Sequence, residues 1–183
     1  MDAGLGLFWN HHPEKQHRAL VEIAAAPQGR VVVALTAPDT IVGFLTFHPP
    51  SPLSRWGQAG LTDLVELGGI EVSPSWRRQG LAKGMLEAAL ADHAYDDKII
   101  IAAGLSWCWD LRGTGLSLGG YQNVLLRLFR AFGFAPYSTN DPEITRYPGN
   151  GLVARIGPQV SPTLRDAFTA LCLAEQRQAA VKG

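Results

Sequence analysis

Neither sign of charge is in excess: sixteen Lys and Arg balance sixteen Asp and Glu. Without a global field the chain has nothing to draw in nucleic acid or an anionic membrane, so any anion site must be local. Cysteine is scarce too. Cys108 and Cys172 stand far apart, match no metal spacing and build no disulfide framework, which suits a reducing cytoplasm. No apolar run approaches the roughly 18 residues of a membrane helix. The opening MDAGLGLFWNHHPEK has an acid at position 2 and only a short apolar patch, so it does not read as a signal peptide. His11, His12, His17, His48 and His93 make no HxH or HExxH spacing, and no metal is expected. What remains is one soluble, cytoplasmic domain filling residues 1–183, with enough apolar residues for a core.

The patterning gives the elements. Pro13 opens PEKQHRALVEIAAAPQG, whose apolar positions Ala19, Leu20, Ile23 and Ala24 predict a helix ending at Pro27-Gln28-Gly29. RVVVALT and TIVGFLTFH are β-branched runs joined by Ala37-Pro38-Asp39, a hairpin. PPSPLSRWGQAG predicts a loop, and LTDLVELGGIEV a third strand with a bulge or splay at Gly68-Gly69. RRQGLAKGMLEAALADHA reads as a helix with Leu81, Met85, Leu86, Ala89 and Leu90 on one face. KIIIAAG is apolar on both faces, as a central strand requires. LSWCWDLRGTGLSLGG reads as a long connection, YQNVLLRLFRAF as a helix stopped by Gly133, and GLVARI as the firmest later strand. Ser161 and Pro162 start a C-terminal helix over residues 161–180. The class is α/β, centred on a βαβ crossover at residues 64–103.

One junction carries chemistry. Two arginines and a glycine stand where the third strand hands over to a helix, in IEVSPSWRRQGLAKG. The spacing is not GxxxxGK[ST], and GTGLSLGG further on fails GxGxxG at Leu118. What remains is Arg77-x-x-Gly80-x-Ala82. A helix start leaves about four backbone N–H groups without partners. Those of residues 78–83 would face an anion such as a bridging diphosphate, Gly80 admitting close approach and Ala82 leaving room. Because the dipole supplies only ~0.3–1 kcal/mol, the guanidinium groups of Arg77 and Arg78 are expected to contribute. Taken alone, the same spacing also suits a solvated helix start.

IEVSPSWRRQGLAKGMLEAAL resembles the acetyl-CoA-binding signature of the GNAT superfamily of N-acetyltransferases, V-x-P-x-x-R-x-x-G-x-G/A. More narrowly, RWGQAGLTDLVELGGIEVSPSWR, WCWDL, NDPEI and GLVARIG resemble the acetoin-utilisation acetyltransferase (AcuA) family, from about Phe8 to the C-terminal helix. The resemblance implies a mostly antiparallel sheet with a splayed central strand pair, and acetyl transfer from acetyl-CoA to an amine. It implies acetyl-CoA contacts from Ile70, Glu71, Val72, Arg77, Arg78, Gln79, Gly80, Leu81, Ala82 and Lys83. A backbone N–H near Val72 would meet the oxyanion, and the splay would pair with pantetheine amides like an added strand.

By position relative to Arg77, Glu66 matches the general-base glutamate of the lysine-acetylating branch, and apolar neighbours should raise its pKa. Glu71, within the pantetheine segment, is less free. Three departures stand out. The first strand usual before the helix at Pro13 is missing, so the expectation is either a sheet that starts one strand short, with a neighbour in a homodimer able to supply the strand, or a misassigned start. Phe129 stands where a helix tyrosine is usual, leaving Tyr121 as candidate acid or anchor. Cys108 replaces a more polar residue. Trp109, Asp110, Asp141 and Glu143 would form an acidic, aromatic rim for a cationic acceptor, against the plainer reading of Trp107 and Trp109 as core anchors and Asp141-Pro142 as a turn. The resemblance further implies a protein substrate, a lysine of acetyl-CoA synthetase. A small-amine acetyltransferase and a non-catalytic acetyl-CoA sensor are the competing readings.

Overall fold

β-Branched runs stand on either side of Pro38-Asp39, and they form the expected hairpin of β1 (Arg30–Thr36) and β2 (Thr40–His48). The computed structural model describes residues 1–174. Ahead of the hairpin runs α1 (Pro13–Ala25), begun by proline as the sequence requires. A short turn, α2 (Arg55–Gln58), follows the hairpin and leads to β3 (Leu64–Val72). After β3 come α3 (Leu81–Leu90), β4 (Ile99–Gly104) and α4 (Leu111–Thr114). The chain continues through α5 (Leu118–Arg130), β5 (Phe134–Tyr137), α6 (Pro142–Thr145), β6 (Gly151–Ile156) and α7 (Pro162–Cys172).

The six strands make one sheet in the order β1-β2-β3-β4-β6-β5, antiparallel except where β3 meets β4. That parallel pair is the crossover, with α3 as its helix. Ile99, Ile100 and Ile101 of β4 are all buried because helices cover both faces of the sheet. On one face Leu45, Phe47, Met85, Leu86 and Phe129 pack between the sheet and α3 and α5. On the other, Trp56, Ile99, Ile144 and Phe168 pack beneath α2, α6 and α7. Among the described residues no strand precedes α1, and β1 forms an edge of the sheet.

Several boundaries differ from the sequence pattern. PPSPLSRWGQAG contains α2, because Ser54 caps it by accepting the Gly57 N–H and Trp56 is buried beneath it. Helix α3 starts at Leu81, not at the arginines: Arg78 at φ +63° and Gly80 at φ +79° interrupt the helical path. Helix α5 starts three residues early, capped by Ser117, which accepts the Gly120 N–H. The described part of the C-terminal helix ends at Cys172. Residues 175–180 of the expected helix lie outside the described residues.

The segment before α1 is tied down by polar contacts. Asp2 donates its N–H to the Ile41 carbonyl and accepts from the Ser73 hydroxyl at 2.6 Å. The buried Glu71 carboxylate accepts the N–H groups of Gly6 at 3.2 Å and Leu7 at 3.1 Å. Glu71→Ala should orphan both donors, each costing ~1–3 kcal/mol. A melting temperature lower by roughly 5–10 °C is expected by calorimetry; an unchanged melt would mean these bonds contribute nothing net.

Candidate active site

The sheet forks within β3. Only Leu64, Val65 and Glu66 pair with β4, opposite Ile99, Ile100 and Ile101. Beyond that point β4 pairs with β6 alone and β3 with β2 alone, so a gap opens between β3 and β4 immediately after Glu66. The β2–β3 register jumps from Phe47↔Leu67 to Thr46↔Gly69, which makes Gly68 an extra, bulged residue. A side chain at Gly68 has no room, because its Cβ would overlap the His48 ring. At the end of the strand the Ser73 N–H donates to the Val42 carbonyl on the β2 side. Strand alternation therefore turns the backbone groups of Val72, and of Ile70 two residues earlier, toward the gap. Arg77 Nε–H donates to the Val72 carbonyl at 3.1 Å, leaving the Val72 N–H as the donor facing the gap.

The start of α3 lies just beyond the end of β3. Gly80 takes the N-cap position without a side-chain cap, and the first backbone bond of the helix runs from the Gly84 N–H to the Gly80 carbonyl. The N–H groups of Leu81, Ala82 and Lys83 thus remain for a ligand. Gly80 is exposed, and a Cβ built there would meet nothing within 4 Å. These residues fit a diphosphate through their backbone. The side chains contribute less than the sequence suggests. Arg77 is engaged with Val72 and, through Nη1 at 2.6 Å, with Asp110. Lys83 pairs with Glu87 at 3.3 Å. Arg78 and Gln79 are exposed beside the cradle.

At the root of the fork Glu66 stands opposite His48. Burial pushes the Glu66 carboxyl above its ordinary range; the nearby His48 opposes this and the Glu143 charge adds to it. His48 is the direct cross-strand partner of Glu66. Its Nδ1 lies 2.8 Å from the Pro49 carbonyl, an oxygen that can only accept, so Nδ1 carries a proton, and Nε2 lies where a Gly68 Cβ would project. In sequence His48 registers only as a failed metal ligand. The available signal was strand parity, since it ends the TIVGFLTFH run that must pair with the strand holding Glu66.

The other expected residues divide. Tyr121 stacks on Trp109 with ring centroids 5.1 Å apart, and burial raises its phenol above the ordinary value, keeping it protonated. Trp109 is thus a stacking partner and no open rim. Asp110 does not face an acceptor either. Burial would raise its carboxyl, but the Arg77 guanidinium and the Gly113 N–H outweigh that and hold it below the usual range. Asp141, 5 % exposed, caps α6 by accepting the Glu143 N–H, with Arg55 Nε 3.9 Å away. Glu143 alone of these acids is exposed, in a cleft of about 480 Å³ with Trp107, Pro142, Thr145, Arg146 and Tyr147. The Cys108 thiol donates to the Leu105 carbonyl and is pushed up to about 11 by burial, which leaves it unreactive at neutral pH. Among the described residues no three His, Cys, Asp or Glu side chains cluster as a metal site, and no helix is long and apolar enough to cross a membrane.

Comparison with known proteins places this geometry. The acetyltransferase (GNAT) family model matches residues 5–105. The acetoin utilization protein AcuA of Bacillus licheniformis is 39% identical over 158 residues, covering 86% of this chain and 75% of that protein. The crystal structure of an acetoin utilization protein from Exiguobacterium sibiricum 255-15 superposes with a TM-score of 0.89 at 39% identity, over 94% of this chain and 80% of that one. More distantly, the PaiA N-acetyltransferase from Thermoplasma acidophilum, solved in complex with coenzyme A, shares the fold. Its TM-score is 0.50 at 12% identity, over 80% of this chain and 72% of that one.

Proposed function

The chain belongs to the acetyltransferase (GNAT) family and is an N-acetyltransferase of the AcuA type; from that premise we propose that it acetylates a protein lysine, with Glu66 as general base. The observation that carries this reading is the fork. β3 leaves β4 directly after Glu66, so a carboxylate of raised pKa stands at the root of the gap between these two strands. The family uses acetyl-CoA, whose diphosphate would be held by the N–H groups of Leu81, Ala82 and Lys83 beside Gly80. Its pantetheine arm would lie along Ile70, Glu71 and Val72. Arg77 positions this edge by gripping the Val72 carbonyl and Asp110 together.

Glu66 accepts the proton that an incoming lysine must lose before its nitrogen can attack. The His48 ring, opposite Glu66 on the neighbouring strand, would relay that proton outward. The Val72 N–H stabilises the oxyanion as the carbonyl carbon becomes tetrahedral. Tyr121, kept protonated, can donate to the departing sulfur. Because a CoA thiolate leaves readily and the ring stack survives, Tyr121→Phe should lower kcat by about tenfold or less, below the usual ~10²–10⁴-fold contribution of acid catalysis. Steady-state CoA release checks this, and a loss beyond a hundredfold would make the phenol indispensable.

The acceptor proposed is a lysine of acetyl-CoA synthetase or a similar acyl-activating enzyme. The open cleft around Glu143, with the exposed rings of Trp107 and Tyr147, supports a macromolecular acceptor over a small amine. The test is incubation of this protein with acetyl-CoA and purified acetyl-CoA synthetase, reading acetyl-lysine by mass. Absence of modification while acetyl-CoA binds and polyamines are acetylated would replace this reading with the small-amine one. Absence of all turnover would leave a sensor.

A further inference from the structure

With Asp110 and Asp141 occupied elsewhere, the acceptor side of the fork is defined by a different set of residues. Trp107 is 66% exposed and Tyr147 53% exposed, and the two share one cleft of about 480 Å³. Glu143 and Arg146 complete its polar lining, and neither has an ion-pair partner among the described residues. The wall they stand on is preformed. Ile144 is buried between them, and Asp141 caps the turn below. The cleft stands on the same face of the sheet as Glu66: Ile144 packs in the cluster that holds Leu64 and Ile101, and Glu66 follows Leu64 on that side of β3, opposite Ile101.

Resting on the lysine-acetylation reading, we propose that this cleft docks an extended segment of the acceptor protein, one whose lysine has a carboxylate side chain beside it in sequence. The charges select this occupant. A lysine side chain can lay its apolar stem along Trp107 and Tyr147, with its ammonium drawn by the ring faces and by Glu143 toward Glu66. Arg146, three residues from Glu143 along the same short element, then presents an unmatched guanidinium to whatever flanks that lysine. An acidic neighbour satisfies it, and a basic neighbour is repelled. A free small amine would leave Arg146 and one of the two rings without a function.

The experiment uses three fluorescein-labelled peptides, identical except for Asp, Asn or Lys beside a single lysine. Anisotropy without acetyl-CoA reads docking, and CoA release reads turnover. The Asp peptide should bind about fivefold tighter than the Asn peptide, the upper range for a solvent-exposed ion pair. Arg146→Glu should reverse the order so that the Lys peptide binds best. Trp107→Ala should weaken all three by roughly tenfold and raise KM more than it lowers kcat. All these side chains are exposed, so melting temperatures should not move. Affinity indifferent to the flanking residue, or an order unchanged by Arg146→Glu, overturns the proposal. If the charge preference and its reversal are seen but no peptide is acetylated, the cleft stands as a docking site and the lysine-acetylation reading is what falls.

Discussion

Glu66→Gln should lower kcat/KM for acetyl transfer by about 10²–10⁴-fold, the usual contribution of a general base, while acetyl-CoA still binds. A lysine ammonium has a pKa of about 10.4, so only about one amine in a thousand is neutral near pH 7.4. Glutamine keeps the shape of the side chain and removes the proton acceptor, so the loss should appear in kcat. The pH profile sharpens the test. Glu66 works only when ionised, and burial, with Glu143 adding and His48 opposing, raises its pKa above the usual carboxylate range. Wild-type activity should therefore fall as pH drops through that raised pKa, and the residual activity of the variant should lack this limb.

Stability moves the other way. A carboxyl whose folded pKa lies above its unfolded value favours the folded state below the unfolded pKa and loses that contribution as pH rises through the folded one. At neutral pH ionised Glu66 is thus a burden, and Glu66→Gln should melt no lower than wild type. A variant that retains full kcat would remove Glu66 from the reaction. One that loses activity and melts much lower would make its role structural.

Much of this architecture was legible in sequence for local reasons. The β-branched runs, the doubly apolar KIIIAAG and the amphipathic LAKGMLEAAL each encode their own environment, and each became the expected element. Gly68-Gly69 pointed to a bulge, and the register jump occurs there, with the His48 ring lying where a Gly68 Cβ would project. What escaped depends on distant partners. Nothing within Arg77-Arg78 tells that Arg77 will be drawn away by Asp110, or that positive φ at Arg78 and Gly80 delays the helix. Asp141 reads as an acidic rim until Arg55 and the α6 N-terminus claim it. Charge composition shows which groups exist; only packing shows which remain unpaired. Among the described residues lining the cleft, Glu143 and Arg146 are left without an ion-pair partner, and of the two only Glu143 reads as an acceptor contact from sequence.

Gly80→Asp is expected to raise KM for acetyl-CoA by about 10²–10³-fold with little effect on folding. Gly80 sits at φ +79°, a left-handed conformation that Asp and Asn tolerate better than other non-glycine residues. A Cβ there meets nothing within 4 Å, so no clash follows from the substitution itself. The consequence is electrostatic. A carboxylate at the mouth of the α3 N-terminus would stand about 4 Å from a bound diphosphate, where two like charges cost ~4 kcal/mol at an effective dielectric constant of 20. Salt and side-chain rotation reduce that figure, hence the lower bound. Gly80→Asn carries the same bulk and backbone preference without the charge. If the cradle works through uncapped N–H groups, Asn should cost at least tenfold less than Asp, and the gap between them should narrow as salt rises, as screening requires. Calorimetric titration with CoA gives both affinities directly. Equal losses for Asp and Asn would mean that Gly80 serves shape alone, and two unimpaired variants would move the diphosphate away from α3 altogether.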